Sequence, residues 1–96
     1  MAKRLGVVGI IVEDLSAATE VNALLHEFAA LIVGRMGIPY RERGLSVISL
    51  IVDGTVEELA ALTGRLGRVP NIAVKSALSR ESHAAPAAHG GNHANL

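Results

Sequence analysis

Apolar residues follow two rhythms along this chain, one that suits strands and one that suits helices. The run Leu5-Gly-Val-Val-Gly-Ile-Ile-Val12 is short and β-branched, which predicts a central strand covered on at least one face. It stops at Glu13-Asp14, and Asp14 or Ser16 is placed to accept hydrogen bonds from the first free amides of a following helix. Val21, Leu24, Leu25, Phe28 and Ile32 then recur at steps of three and four, an inward helical stripe. Glu20, Asn22, His26 and Glu27 fill the rest of that surface, and Gly34 marks the exit from the helix.

Residues 33–40 hold Gly34, Gly37 and Pro39, so a strand here is irregular or lies at a sheet edge. Arg41-Glu42-Arg43-Gly44 is a polar turn with glycine where a positive φ is required. Leu45-Ser-Val-Ile-Ser-Leu-Ile-Val52 is a second strong strand, making a hairpin with the segment before it. Asp53-Gly54 turns the chain, and Thr55-Val-Glu-Glu58 has the form of a capping box. Leu59, Leu62, Thr63 and Leu66 form the inward stripe of a second helix, closed by Gly67 with Pro70 barring continuation. Ile72, Val74, Ser76 and Leu78 alternate with Ala73, Lys75 and Ala77 as a last strand.

The order is βαββαβ, and its halves echo one another: Ile10-Ile-Val-Glu-Asp14 and Leu50-Ile-Val-Asp-Gly54 each precede a helix. The expected class is α+β, ferredoxin-like, a four-stranded antiparallel sheet with both helices on one face. The strands are apolar on both sides, so the uncovered sheet face needs a cover. A second copy of the chain supplies one, which predicts a homodimer or homotetramer. Residues 1–80 form the expected domain. Residues 81–96, rich in alanine, histidine, glycine and asparagine, are expected to be a disordered tail.

Composition narrows the function. Nine Lys+Arg balance nine Asp+Glu, so direct nucleic-acid binding is not expected. With only Phe28 and Tyr40 as aromatics there is no base-stacking platform. The absence of cysteine removes disulfides, thiolate metal sites and cysteine nucleophiles. Lys3 and Arg4 ahead of the first apolar run imitate the start of a signal peptide, but Glu13 and Asp14 follow it instead of a small-residue cleavage site. Eight apolar residues are too few to cross a bilayer. The expectation is a cytoplasmic protein.

Candidate chemistry is sparse. Arg35, Arg41 and Arg43 cluster around the hairpin with Glu42 as the only nearby acid, and three guanidiniums can clamp a carboxylate or phosphate. The plainer alternative is a solvated turn with Arg35 pairing across a subunit boundary. Tyr40 adds a hydroxyl or a stacking face, and Gly34 and Gly37 admit another backbone or a small ligand. His26 lies beside the helical stripe and reads as a polar flank, an interface residue or a metal contact; Glu27 is most simply solvated. His83, His89 and His93 are separated by Pro86 and Gly90-Gly91 and preorganise no metal site. No phosphate loop, Ser-His-Asp order or carboxylate pair is present, so no enzyme activity and no cofactor are expected.

Val7-Val-Gly-Ile-Ile-Val-Glu-Asp14, His26-Glu27 and Ile32-Val-Gly-Arg-Met-Gly-Ile-Pro-Tyr-Arg-Glu-Arg-Gly44 together resemble the iron-only hydrogenase system regulators. Leu62-Thr-Gly-Arg-Leu-Gly-Arg68 followed by Pro70 fits the same family. The resemblance covers nearly everything except the tail. It implies a ferredoxin-like, ACT-like domain tied to assembly or expression of [FeFe] hydrogenase. The chain is more distantly similar to the regulatory domain of the nickel-responsive repressor, with His26 and Met36 at that domain's spacing. The repressor's later ligands fall at Gly37, Pro39 and near Leu45, so its square-planar nickel site is not expected. With the first strand already beginning at Leu5, the repressor's DNA-binding arm is not expected either. The ACT turn that admits amino acids is replaced by Asp14-Leu-Ser-Ala-Ala18, without its proline and glycine.

Two readings stay open. In one, the chain is an oligomeric sensor that binds a small molecule, anion or ion at a subunit boundary. There residues 33–44 of one chain, Arg35 and Met36 among them, face the first helix of another, with Arg35 as anion clamp and His26 as polar or metal contact. In the other it binds no ligand and is an oligomeric adaptor for a hydrogenase-related protein, docking through Arg41 and Arg43.

Overall fold

The computed structural model describes residues 2–80. Strand β1 (Arg4–Val12) leads through a short turn to helix α1 (Ala18–Glu27), then to β2 (Ile32–Tyr40), β3 (Leu45–Gly54), helix α2 (Val56–Leu66) and β4 (Ile72–Leu78). The strands form one antiparallel sheet in the order β2-β3-β1-β4. This is the expected α+β arrangement, with the two long apolar runs as its central strands. The alternation of β1 and β3 turns Val8, Ile10 and Val12 and Ile48, Leu50 and Val52 toward the helices, where all are buried. Val21, Leu24 and Leu25 of α1 and Leu59, Leu62 and Leu66 of α2 close over them in a single core. Each side chain so buried contributes about 1.5–3 kcal/mol relative to leaving it in water.

Local chemistry sets the helix ends. Asp14 accepts a hydrogen bond from the backbone N–H of Ser16 at 3.0 Å, which caps the turn leading into α1. Thr55 and Glu58 form the full capping box of α2, Glu58 N–H donating to Thr55 at 3.1 Å and Thr55 N–H to Glu58 at 2.9 Å. Gly44 ends the β2–β3 turn at φ 67°, the left-handed region that the sequence assigns to it.

Three details differ from the sequence reading. Helix α1 stops at Glu27, with Phe28 as its C-cap, and not at Gly34. Ile32 continues the helical stripe only because the first residue of β2 faces the same core. Gly54 lies within β3 and makes no special turn; a Cβ there would come within 3.0 Å of the Glu58 carboxylate and 3.1 Å of Leu31, so it is close packing that calls for glycine. Gly67 caps α2 in the right-handed region at φ −64°, and the other left-handed residue among those described is Asn71 at φ 66°. The expected tail, 81–96, with His83, His89 and His93, lies outside the described residues.

Candidate functional site

One extra residue decides what β2 presents. Ile32 pairs with Val52 but Gly34 pairs with Ile51, so Val33 is a bulge in the edge strand. A slip of one residue exchanges the two faces of everything beyond it. Beyond the bulge Arg35 lies opposite Leu50 and Gly37 opposite Ile48, on the helix side of the sheet. Met36, Ile38 and Tyr40 lie opposite Ser49, Val47 and Leu45, on the open side.

The open face is a continuous apolar surface. Leu5, Val7, Ile11, Met36, Ile38, Tyr40, Val47 and Ile51 each expose 40–62% of their surface there. Within the paired strands it carries two charged residues, Asp53 opposite Leu5 and Lys75 opposite Gly9. Its relief includes a hollow of about 270 Å³ at Gly9, between Ile11, Val47, Ala73 and Lys75, and another of about 240 Å³ at Gly34, beside Met36, Ser49 and Ile51. Scattered exposed apolar residues are ordinary, whereas patches of this extent are typical of protein contacts and ligand sites.

On the helix side a groove of about 370 Å³ opens between α1 and β2, lined by Asn22, Leu25, His26, Ala29, Ile32 and Arg35. Arg35 Nη2 donates to Asn22 Oδ1 at 3.1 Å. Asn22 and His26 stand one helical turn apart on the same face, which brings the imidazole to the same groove. Arg35 thus reaches the first helix of its own chain, where the sequence reading places it against a partner's. The missed residue is Asn22, and its i, i+4 spacing from His26 is the signal that reveals it.

The other candidates fall elsewhere. Arg41 and Arg43 sit exposed in the turn after β2, six or more residues from Arg35 along an extended strand, about 20 Å, so the three guanidiniums form no common clamp. Glu27 is not merely solvated. Its two carboxylate oxygens accept hydrogen bonds from Arg65 Nη1 and Nη2, each at 3.1 Å, tying α1 to α2, with the Arg65 guanidinium 5.8 Å from the Phe28 ring centre. The Ser16 amide holds the Asp14 carboxyl below its ordinary pKa, the effect expected of a cap. Among the described residues no three or more His, Cys, Asp or Glu come together as a metal site, and no helix is long and apolar enough to cross a membrane.

This sheet, with its bulged edge strand and conspicuous Gly-Arg-Met-Gly-Ile-Pro-Tyr-Arg-Glu-Arg-Gly segment, has known counterparts. The family model TM1266-like, described as "Iron-only hydrogenase system regulator, putative", matches residues 4–76. The chain belongs to the TM1266-like family. A TM1266-like structure, that of the uncharacterized protein TM1266 from Thermotoga maritima, is 36% identical with a TM-score of 0.76 and covers 79% of this chain and 96% of that one. The resemblance read from the sequence thus holds, and membership in the TM1266-like family supports a regulatory role. A formyltetrahydrofolate deformylase from Pseudomonas putida KT2440 matches 75% of this chain over 28% of its own, at 13% identity and a TM-score of 0.54, a likeness of fold alone. No curated protein matches the chain significantly.

Proposed function

We propose that this chain is a non-enzymatic regulator of the iron-only hydrogenase system that works in the cytoplasm as a homodimer or homotetramer. Its open sheet face is closed by another copy, and a small molecule or ion held beside the subunit boundary changes the activity of a hydrogenase-related partner or the transcription of its genes. The observation that carries this reading is the open face, with eight large apolar side chains between 40% and 62% exposed around two hollows. Met36 and Tyr40 belong to that face, while His26 and Arg35 on the opposite side of β2 supply polar chemistry a few residues away. The bulge at Val33 supports this reading, since it puts Met36 and Tyr40 on the open side of one edge strand and Arg35 on the helix side. Formal neutrality argues for action through a protein partner rather than on DNA.

Mass spectrometry of the purified full chain under native conditions tests both parts. An assembly of two or four chains is expected, with a small molecule or ion retained. Bare single chains overturn the reading.

One observation favours the adaptor alternative. Arg41 and Arg43 are exposed at a corner of the sheet, and no carboxylate among the described residues comes within 4.0 Å of either. If that corner docks an acidic surface, Arg41→Glu and Arg43→Glu abolish capture of the hydrogenase partner and leave the assembly mass unchanged. Capture that survives both reversals eliminates the adaptor reading.

A further inference from the structure

The groove between α1 and β2 is built from an unusual combination, hydrogen-bond donors above an apolar floor. We propose that it binds a small organic carboxylate, with the anionic head held by Arg35, His26 and Asn22 and the apolar body laid on Leu25, Ala29 and Ile32. This names a ligand class for the sensor role proposed above and rests on that role for its regulatory meaning, although binding itself is measurable without it.

Charge is the first argument. No acidic residue lines the groove. Arg35 has no carboxylate within 4.0 Å among the described residues, and its one side-chain hydrogen bond goes to the neutral Asn22. The nearest acid along the helix, Glu27, is already engaged at both oxygens by Arg65. A guanidinium carries N–H donors in a planar fork that matches a carboxylate, and most of this fork has no protein acceptor.

The donor inventory is the second. Asn22 commits its carbonyl oxygen to Arg35, so its amide nitrogen is left to donate outward. His26 adds an imidazole N–H one turn along the helix. Guanidinium, amide and imidazole together form a set of donors, and the group that complements donors alone is an acceptor such as an ionised carboxylate. The Asn22 bond also fixes the Arg35 side chain in advance, which lowers the ordering cost of binding.

The floor distinguishes an organic anion from an inorganic one. Leu25 is 1% exposed and packs into the core, Ile32 is partly buried against it, and Ala29 is short enough to leave the hollow open. Phosphate gains nothing from such a floor, whereas a branched aliphatic acid buries its methyl groups there. The bulge at Val33 assembles the site, since without it the register would send Arg35 to the opposite face.

The test is an NMR titration of the isotope-labelled full chain with isovalerate, with the neutral isostere isovaleramide and with inorganic phosphate. Isovalerate is expected to shift the His26, Asn22 and Arg35 resonances, with isovaleramide and phosphate at least about tenfold weaker. Arg35→Met is expected to weaken isovalerate by about tenfold or more at an unchanged melting temperature. Should that variant melt early, Arg35→Lys keeps the charge and loses the fork, and binding several-fold weaker than wild type is expected. Equal binding of isovaleramide, tighter binding of phosphate, or wild-type affinity in a folded Arg35 variant overturns the proposal. Sedimentation of the same samples separates the two ideas. A single chain that binds isovalerate contradicts the assembly but supports the groove, and an assembled chain that ignores it overturns the groove alone.

Discussion

Replacing Ile51 by lysine probes the open face where it is most central. Ile51 lies opposite Val7 on one side and Gly34 on the other, and it is 42% exposed in the single chain. A lysine there points into water in a lone molecule, and the loss of strand propensity costs under about 1 kcal/mol. In a stacked pair the setting is different. The eight exposed apolar side chains of the face present roughly 700 Å² per chain, so two facing copies bury about 1,400 Å², the size of a standard specific interface. Desolvating an ammonium within such a layer costs several kcal/mol, reduced where the lysine stem can lead its charge toward the rim. Even about 3 kcal/mol weakens association by about two orders of magnitude. Light scattering coupled to gel filtration over a dilution series reads the mass, and far-UV circular dichroism reads the fold. Ile51→Lys is expected to be a folded single chain at concentrations where wild type is assembled, while Ile51→Val stays assembled. A lysine variant that keeps the wild-type mass at every dilution refutes the reasoning.

Three further substitutions test the fold that carries the face. A Cβ at Gly6 would displace the exposed Leu78 side chain and lie 3.1 Å from the Ala77 carbonyl oxygen and 3.2 Å from the fully buried Val52, so Gly6→Ala is expected to lose about 1–3 kcal/mol in urea unfolding; a neutral result contradicts the close packing of β1 between β3 and β4. Thr55→Ala removes one half of the α2 capping box and is expected to lose about 1 kcal/mol by the same assay. Asp14 has a lowered pKa in the folded chain, so its cap stabilises at pH above the ordinary carboxyl value of 3.8 and is lost as pH falls through the lower folded value. Asp14→Asn is expected to flatten that part of the acid-stability curve, and an unchanged curve contradicts the cap.

The legible features are those settled by neighbours in sequence. The β-branched runs, the Thr55/Glu58 box and the glycine at position 44 each have a local cause, and each is found where the pattern puts it. The apolar character of both sheet faces is equally local, since alternate residues of β1 and β3 are hydrophobic on either side. Features that depend on distant partners were not legible. The Glu27–Arg65 pair joins residues 38 apart, and only the packing of α1 beside α2 brings them together. The end of α1 was hidden because Phe28 and Ile32 keep helical spacing while the chain has already left the helix. The bulge at Val33 has the largest consequence. Gly34 and Pro39 announce an irregular edge strand, but nothing near them fixes which side Arg35 takes; its pairing with β3 decides that.

The central claim is that the apolar sheet face is closed by a second molecule of the same chain. Sedimentation equilibrium of the unmodified full chain across the micromolar range measures this most directly. A mass of two or four times 10.0 kDa, falling only on strong dilution, is the predicted result. A 10.0 kDa species at every concentration contradicts it.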